Sequence, residues 1–405
     1  MNLLPSIDDV DVAGKKVLIR ADLNVPMKNQ IVTDATRIIR FAPTVESLTR
    51  RGATVVIMTH LGRPEGEANP VYSTRPIAVA LAEVLGRPVT FVADCVGPVS
   101  ERGTGSLAPG SIAVLENVRF HKGETENNRN FAIRLSVHGD IYVNDAFSCA
   151  HRAHASTHAI ATLMPSYAGP SLLAEVQALE TALGKPKRPA AALVGGAKVS
   201  SKIDVLKNLV EKVDYLIIGG GMANTFLAAD GVDVGRSLYE PGVLSIAESI
   251  KNAAAKSGCK IVLPVDVTVA SAFSADAPRR ICPVGNIGSL DMALDSGPES
   301  VSMIGDILRN CRTLLWNGPL GAFELEPFAA ATNAVARLAA ELTRAGKLTT
   351  VAGGGDTVAA LNGAGVADDF TYVSTAGGAF LEWLEGRPLP GIEILKSKQK
   401  HPVEA

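Results

Sequence analysis

Residues 169–189, GPSLLAEVQALETALGKPKRP, divide the chain into two halves that differ in composition. Six of the seven histidines precede this stretch, and the seventh, His401, lies almost at the C-terminus. The glycine runs all follow it, at residues 195–196, 219–221, 353–355 and 377–378. Side chains of the first half therefore suit a small charged ligand, and backbone N–H groups of the second half suit a phosphate tail.

The stretch itself predicts a helix. Leu172 and Val176 belong to an apolar series at helical spacing, and Pro170 suits a first turn. Gly184 suits the C-terminal cap, and Pro186 prevents continuation. One more packed helix is the plain interpretation, but the change of composition across the stretch favours a connection between domains.

The composition and length of the chain limit the classes of protein to which it can belong. A chain of 405 residues predicts two domains, and a net charge of −2 excludes a global basic field that would attract nucleic acid. The N-terminus lacks the features of a signal peptide, and no apolar run is long enough to span a membrane. Five scattered cysteines without a C-x-x-C motif indicate reduced thiols in the cytoplasm.

Apolar strands alternate with helices along the first half, as in Lys16–Ala21 followed by a helix over residues 33–51. This alternation predicts an α/β fold built on a doubly wound, mostly parallel sheet. Polar or cationic residues follow the strands and should converge at one sheet edge. Guanidinium groups match phosphate and carboxylate, so a small polyanion site is predicted, although any single arginine could be a surface charge. The candidates are Asp22, Asn24, Arg37, His60, Arg63, Arg119 and Arg152.

The spacing of His151, His154 and His158 could place three imidazoles on one helical face. A metal site there is weakly supported, because no carboxylate or thiolate completes the usual ligand set. Hydrogen bonds to a phosphate or to the loop backbone are the favoured interpretation.

In the second half each predicted strand leads into a glycine-rich turn and a helix. Lys198 and Lys202 are four residues apart, which predicts a shared face near a helix N-terminus. Two cations there would oppose the helix dipole, and a bound polyanion would resolve that conflict. Solvated lysines are the alternative. The run from Gly353 to Thr357, GGGDT, predicts close backbone approach to a phosphate, with Asp356 either a Mg²⁺ ligand or a helix cap. The chain has no Walker A motif and no G-x-G-x-x-G, which argues against a P-loop ATPase and an NAD-dependent dehydrogenase.

Taken together, these motifs resemble the phosphoglycerate kinase family along essentially the whole chain. The matching segments are RADLNVP at 20–26, HLGRP at 60–64, LENVRF at 115–120, NDAF at 144–147, AHRAHA at 150–155, GGAKV at 195–199, WNGP at 316–319 and GGGDT at 353–357. The sequence departs from the family pattern at three places without removing a charged ligand. Ser148-Cys149 replaces Gly-Thr, Ser296 replaces an apolar residue, and Ala376 replaces a glycine near the nucleotide side, where its methyl group could change affinity.

The resemblance implies two Rossmann-like domains. Residues 1–169 would bind 3-phosphoglycerate or 1,3-bisphosphoglycerate, residues 170–189 would form a hinge helix, and residues 190–389 would bind the nucleotide. The tail, residues 390–405, would return to the first domain. The implied protein is a cytoplasmic, monomeric kinase of glycolysis, with small-molecule substrates and no nucleic-acid or membrane partner. Because the two ligand sets fall in different domains, closure about the hinge is expected.

The resemblance also implies roles for single residues. The seven polyanion candidates would bind the acid substrate, and Asp356 would hold Mg²⁺. Charge on the transferring group would be stabilised by Arg37, Lys198, Lys202, Gly354 and Gly355. Mg·ADP or Mg·ATP would be bound by Lys202, Asn317, Glu324, Gly353, Gly354, Gly355, Asp356 and Thr357. The acceptor carboxylate is already ionised at neutral pH, so no general base is expected. An NAD-linked oxidoreductase and a non-catalytic nucleotide-binding protein are the alternatives.

Overall fold

The computed structural model describes residues 4–400. The chain divides into two compact units. The first comprises the chain up to Val176 together with the chain from Pro388 onward, and the second runs from Gln177 to Arg387. The change of unit therefore falls inside the predicted connecting helix.

The first unit contains a six-stranded sheet in which every pairing is parallel, with the order β5-β6-β4-β1-β7-β8. Two further strands, β2 and β3, form a separate hairpin. The strands are β1 (Lys16–Ala21), β2 (Met27–Lys28), β3 (Ile31–Val32), β4 (Thr54–Met58), β5 (Thr90–Val92), β6 (Ile112–Leu115), β7 (Ile141–Asp145) and β8 (Ser166–Ala168). The helices are α1 (Thr36–Arg50), α2 (Arg75–Leu85), α3 (Pro98–Gly105), α4 (Lys122–Thr125) and α5 (Arg129–Ser136).

The central strands of this sheet are buried on both faces. Along β1, Val17 and Ile19 enter one apolar cluster while Leu18 enters another, as the two-residue period of a strand requires. Continuous apolar runs are typical of parallel strands that are covered by helices on both sides. Because β1, β4, β6 and β7 run in the same direction, the residues that follow them lie at one edge of the sheet.

Helix α6 (Pro170–Leu179) carries the chain from the first unit into the second. A π-helical turn, Glu180–Gly184, continues it, so helical structure ends beside the predicted glycine cap. Asp145, at the end of β7, holds the start of α6 by accepting hydrogen bonds from the Leu172 backbone N–H at 3.0 Å and the Ser171 hydroxyl at 3.0 Å. The Thr44 hydroxyl donates a third bond at 3.2 Å.

We expect Asp145→Ala to lower the free energy of unfolding by about 2 kcal/mol, because a helix-capping acceptor is lost while the Leu172 N–H and the Thr44 hydroxyl remain enclosed. Denaturant unfolding measures the change. Asp9→Ala, at an exposed position of the same unit, is the control and should leave stability within about 0.5 kcal/mol. Equal midpoints for the two variants would contradict the capping role.

The second unit contains a six-stranded parallel sheet with the order β11-β10-β9-β15-β16-β17. It also contains an antiparallel three-stranded sheet, β13-β12-β14, which the sequence analysis did not anticipate. The strands are β9 (Ala190–Val194), β10 (Tyr215–Ile218), β11 (Lys260–Val262), β12 (Asp266–Ala270), β13 (Arg279–Pro283), β14 (Met292–Ser296), β15 (Thr313–Asn317), β16 (Thr349–Gly353) and β17 (Tyr372–Ser374). The helices are α7 (Ile203–Val210), α8 (Gly220–Ala229), α9 (Leu244–Ser257), α10 (Pro298–Asn310), α11 (Ala330–Arg344), α12 (Gly355–Gly363) and α13 (Gly377–Leu384).

The last helix, α14 (Pro390–Lys400), contacts the first unit. The Gly391 backbone N–H donates to the Ala150 carbonyl at 2.9 Å, and Ile394 packs on an apolar cluster of that unit. Residues 401–405 of the predicted tail, with His401, lie outside the described residues. All five cysteines are buried free thiols. Between residues 4 and 400, no helix has the length and apolar character needed to cross a bilayer.

Candidate active site

The first unit gathers the predicted polyanion ligands at the edge of its parallel sheet. Asp22, just after β1, forms an ion pair with Arg37 in the first turn of α1. The Ser148 hydroxyl also donates to Asp22, so one of the three departures from the family pattern lies inside the site. The Asn24 side-chain oxygen accepts a hydrogen bond from the Gly62 backbone N–H at 3.0 Å, which joins the loop after β1 to the loop after β4.

A cavity of about 420 Å³ beside this cluster holds the remaining arginines of the set. Arg63 and Arg152 are exposed on its wall, and Arg119 is partly enclosed. Arg119 donates to the Gly62 carbonyl at 2.9 Å, while its Nε is enclosed without a hydrogen-bond partner among residues 4–400. Lys122 is the fourth cationic side chain on the cavity wall. The cavity therefore offers several donors to an anion.

His60 is buried, and three arginines lie near it. Burial, followed by the charges of Arg20, Arg119 and Arg37, holds the pKa of His60 well below its usual value of 6.5. His60 is therefore neutral at physiological pH and can serve the site as a hydrogen-bond donor or acceptor, but not as a cation.

The predicted helical face of three histidines is wrong. Residues 151–158 form turns, because the chain is folded locally by backbone bonds such as Thr157 N–H to the His154 carbonyl at 3.1 Å. Two groups of side chains within residues 4–400 are close enough to share a metal ion, and neither contains His151, His154 or His158. Burial lowers the pKa of His154 to about 4.

The second unit contains a cavity of about 440 Å³ between its glycine-rich turns and the antiparallel sheet. Glu324 and Asp356 lie on its polar side. At Gly220, which has φ of +66°, a Cβ atom would come within 2.8 Å of the Gly196 carbonyl, so the two turns can approach only as glycines. The apolar wall, which the sequence analysis missed, comprises Leu238, Phe273, Met292, Leu294 and Phe323.

Lys202 points into the fold at the cavity's glycine side. Its ammonium donates to the Gly195 carbonyl at 2.7 Å and to the Asn317 side-chain oxygen at 2.7 Å. Burial lowers the pKa of Lys202 to about 8, and the nearby Asp356 opposes that shift. The predicted shared helical face with Lys198 is wrong, because a 3₁₀ turn separates the lysines and α7 begins only after Lys202. Lys198 is exposed.

Hydrogen bonds also hold two further predicted nucleotide ligands, Asn317 and Thr357, in place. The Asn317 amide donates to the Gly353 carbonyl at 2.7 Å, and the Thr357 hydroxyl accepts from the Gly318 N–H at 2.7 Å. Gly354, with φ of +99°, caps helix α12. The alternative that Asp356 is the helix cap is therefore wrong. Asp356 is exposed in the first turn, beside the exposed Gly355.

Arg20, Glu124 and Ser156 belong to the first site but were not among its predicted ligands. Arg20 and Glu124 are both completely buried, and the Ser156 hydroxyl links them. An arginine within the apolar strand KVLIRA was the available signal, because a charged residue is rarely buried unless it is paired.

The family model described as phosphoglycerate kinase matches residues 7–387. The chain belongs to the phosphoglycerate kinase family. Among curated phosphoglycerate kinases, that of Sphingopyxis alaskensis is 57% identical over 98% of this chain and 100% of its own length. That of Rhizobium meliloti is 56% identical over 97% of this chain and 99% of its own.

Solved phosphoglycerate kinase structures share the fold. The structure from Coxiella burnetii has a TM-score of 0.92 and 42% identity, covering 98% of this chain and 99% of its own. The structure from Pyrococcus horikoshii has a TM-score of 0.81 and 30% identity, covering 98% and 100%. The family resemblance, the α/β fold with parallel sheets and the predicted glycolytic kinase function are confirmed.

Proposed function

We propose that this member of the phosphoglycerate kinase family transfers a phosphoryl group reversibly between 1,3-bisphosphoglycerate and ADP, giving 3-phosphoglycerate and ATP. The single observation that supports it most is the separation of chemistry between the units. One unit presents a set of arginines around Asp22 and His60, and the other presents glycine-rich turns beside an apolar cavity. A small carboxylate–phosphate substrate suits the first, and a nucleotide suits the second.

On the acid side, Arg63, Arg119 and Arg152 would bind the phosphate, because they line one basic cavity. Arg37 would lie near the carboxylate to be phosphorylated, where Asp22 holds its guanidinium. Asp22 and Asn24 would orient the substrate hydroxyl. The acceptor carboxylate is ionised at neutral pH with a pKa near roughly 4, so the step needs charge stabilisation and no general base.

On the nucleotide side, the apolar wall and Glu324 would receive the base and ribose, and the Gly354 and Gly355 N–H groups would face the phosphates. Lys202 and the exposed Lys198 would neutralise developing charge. The donor set suits Mg²⁺, because the Asp356 carboxylate is exposed on the cavity wall, and carboxylate oxygens are ligands of this ion. Asp356 would hold this ion, which supplies neutralisation of the phosphate oxygens when bound.

The lowered pKa of Lys202 predicts how the affinity for the nucleotide changes with pH. With a pKa of about 8, its ammonium is mostly charged at pH 7 and loses its proton as the pH rises through that value. We expect ADP affinity to fall by up to about tenfold per pH unit above 8, because only the charged form attracts phosphate. Calorimetric titration without Mg²⁺ measures this. Lys202→Met should bind weakly with a flat profile, and Lys207→Met, an exposed control on α7, should keep the wild-type profile. A wild-type profile in Lys202→Met would contradict the assignment.

A coupled assay that forms ATP from 1,3-bisphosphoglycerate and Mg·ADP tests the proposed function. We expect turnover that depends on both substrates. Hydride transfer to an added substrate would instead support an oxidoreductase, and tight nucleotide binding without turnover would support a non-catalytic binding protein.

We further propose that the protein acts as a cytoplasmic monomer. Its five free thiols support a reducing compartment. The small-molecule substrates require no nucleic-acid or membrane partner. Closure of the two units about residues 169–189 stays a prediction.

A further inference from the structure

Arg20 lies beneath the acid-substrate site rather than on its surface. Its side chain is completely buried on strand β1, so it cannot touch a ligand in the cavity. Its Nη2 nevertheless lies 3.0 Å from Nδ1 of His60. Because the guanidinium is buried and contacts a residue of the site, it can influence ligand binding only through that residue.

The chemistry of this contact settles the protonation state of the histidine. A guanidinium has five N–H donors and no acceptor, so Nδ1 of His60 must be the acceptor. In a neutral imidazole whose Nδ1 accepts, the proton is carried by Nε2. Within residues 4–400, Nε2 accepts or donates no hydrogen bond, and it is not enclosed. Its N–H is therefore available to a ligand.

Arg20 is itself held by a buried network. Its Nε donates to the Ser156 hydroxyl at 2.8 Å, and that hydroxyl donates to Glu124 at 2.6 Å. The Ser156 backbone N–H donates to the same carboxylate at 2.9 Å. Because one hydroxyl both accepts from the guanidinium and donates to the carboxylate, it joins two completely buried charges.

We propose that Arg20 is a positioning residue that, through the Arg20–Ser156–Glu124 network, fixes His60 as the neutral tautomer whose Nε2–H donates to the anionic substrate. The identity of that substrate rests on the proposed function, and the tautomer does not. A fixed neutral donor suits this site because four arginine side chains already supply positive charge, and a charged imidazole would add repulsion without adding a better-directed bond.

The surroundings of His60 are consistent with this role. Burial is the largest cause of the lowered pKa of His60, and the charges of the neighbouring arginines disfavour its protonation further. The titratable and charged groups that face it are Arg20, Arg37, Arg119, His154, the Cys149 thiol, whose sulfur lies 3.9 Å from Nδ1, and the Asp22 carboxylate. Asp22 lies within 4.8 Å of a His60 ring nitrogen, but its charge is paired with Arg37. Lowering the pH across the range in which an ordinary histidine titrates, roughly 8 to 5, should therefore leave His60 uncharged.

Nitrogen NMR of the full-length, ¹⁵N-histidine-labelled protein tests the tautomer directly. We expect His60, assigned by loss of its signals in His60→Gln, to show the Nε2–H pattern throughout that pH range. An Nδ1–H pattern, or an imidazolium signal that appears near the ordinary pKa, would overturn the inference. This result does not depend on activity, so it remains distinct from a failure of the proposed function.

Variants test the network. In Ser156→Ala we expect the His60 signals to broaden or show both tautomers, with the KM for 3-phosphoglycerate raised at least fivefold and kcat within twofold of wild type. Ser100→Ala is the matched control, because Ser100, on α3, is equally buried but donates to the Gly97 carbonyl. Arg20→Lys, which keeps the charge but not the fork, should behave like Ser156→Ala. Wild-type tautomer and KM in both folded variants would overturn the role of the network.

Discussion

Arg37→Ala should reduce turnover by at least about a hundredfold while leaving the affinity for ADP unchanged. Its guanidinium is held by Asp22 at the edge of the first unit's sheet, with about a third of the side chain exposed to a ligand. Removing one preorganised group that stabilises developing charge typically has an effect of this size. Nucleotide affinity should not change, because the glycine-rich turns and the apolar cavity belong to the second unit.

Steady-state kinetics with both substrates and calorimetry with ADP measure these two effects. Arg40→Ala is the matched control, because Arg40 is an exposed arginine on the same helix, α1. It should retain wild-type turnover within about twofold. Turnover within threefold of wild type in Arg37→Ala would remove Arg37 from the proposed mechanism, and equal losses in both variants would indicate a general effect of charge.

Asp356→Ala should abolish Mg²⁺-dependent use of the nucleotide, with kcat/KM for ADP at least about a hundredfold lower. The exposed carboxylate is the polar group at the start of α12 that suits a hard cation. Stability should change by less than about 1 kcal/mol, because Gly354 and not Asp356 caps the helix and only a favourable helix-dipole interaction is lost. Binding of 3-phosphoglycerate should be intact.

Activity measured across a Mg²⁺ titration, with calorimetry for 3-phosphoglycerate, separates these outcomes. Asp368→Ala, an exposed acidic residue in the same unit, provides the control for lost negative charge. If Asp356→Ala keeps the wild-type rate and Mg²⁺ dependence, the carboxylate has no role in nucleotide use.

The local pattern of apolar residues was enough to predict most strands of the two parallel sheets. The apolar runs Lys16–Ala21, Ile112–Leu115, Ala190–Val194 and Tyr215–Ile218 are strands with those same bounds. Helix α1 ends one residue earlier than predicted and starts three residues later. Such runs can be recognised because a strand covered on both faces needs apolar side chains at every position. The antiparallel strand β13 was missed, since its sequence RRICP is mostly exposed and lacks that signal.

The predictions that failed assumed the residue spacing of an α-helix in segments that are not α-helical. The spacing of Lys198 and Lys202 predicts one shared helical face, but a 3₁₀ turn lies between the two residues. The Lys202 ammonium points inward, because it donates to the Gly195 and Asn317 oxygens. Those acceptors lie in neighbouring turns of the folded sheet edge. The residues around His154 likewise form turns whose bonds a three- or four-residue spacing cannot reveal.

By itself, the sequence determined the family, the parallel sheets and the residue types that meet at their edges, because apolar periodicity and strand-end motifs are local properties. Only the tertiary structure decided which atoms those residues offer. Arg20 meets Ser156 across 136 positions of the chain, and this contact, with the one to His60, determines which nitrogen of the histidine carries its proton. Contacts between residues so distant in sequence depend on how strands and loops are brought together, and no local pattern encodes them.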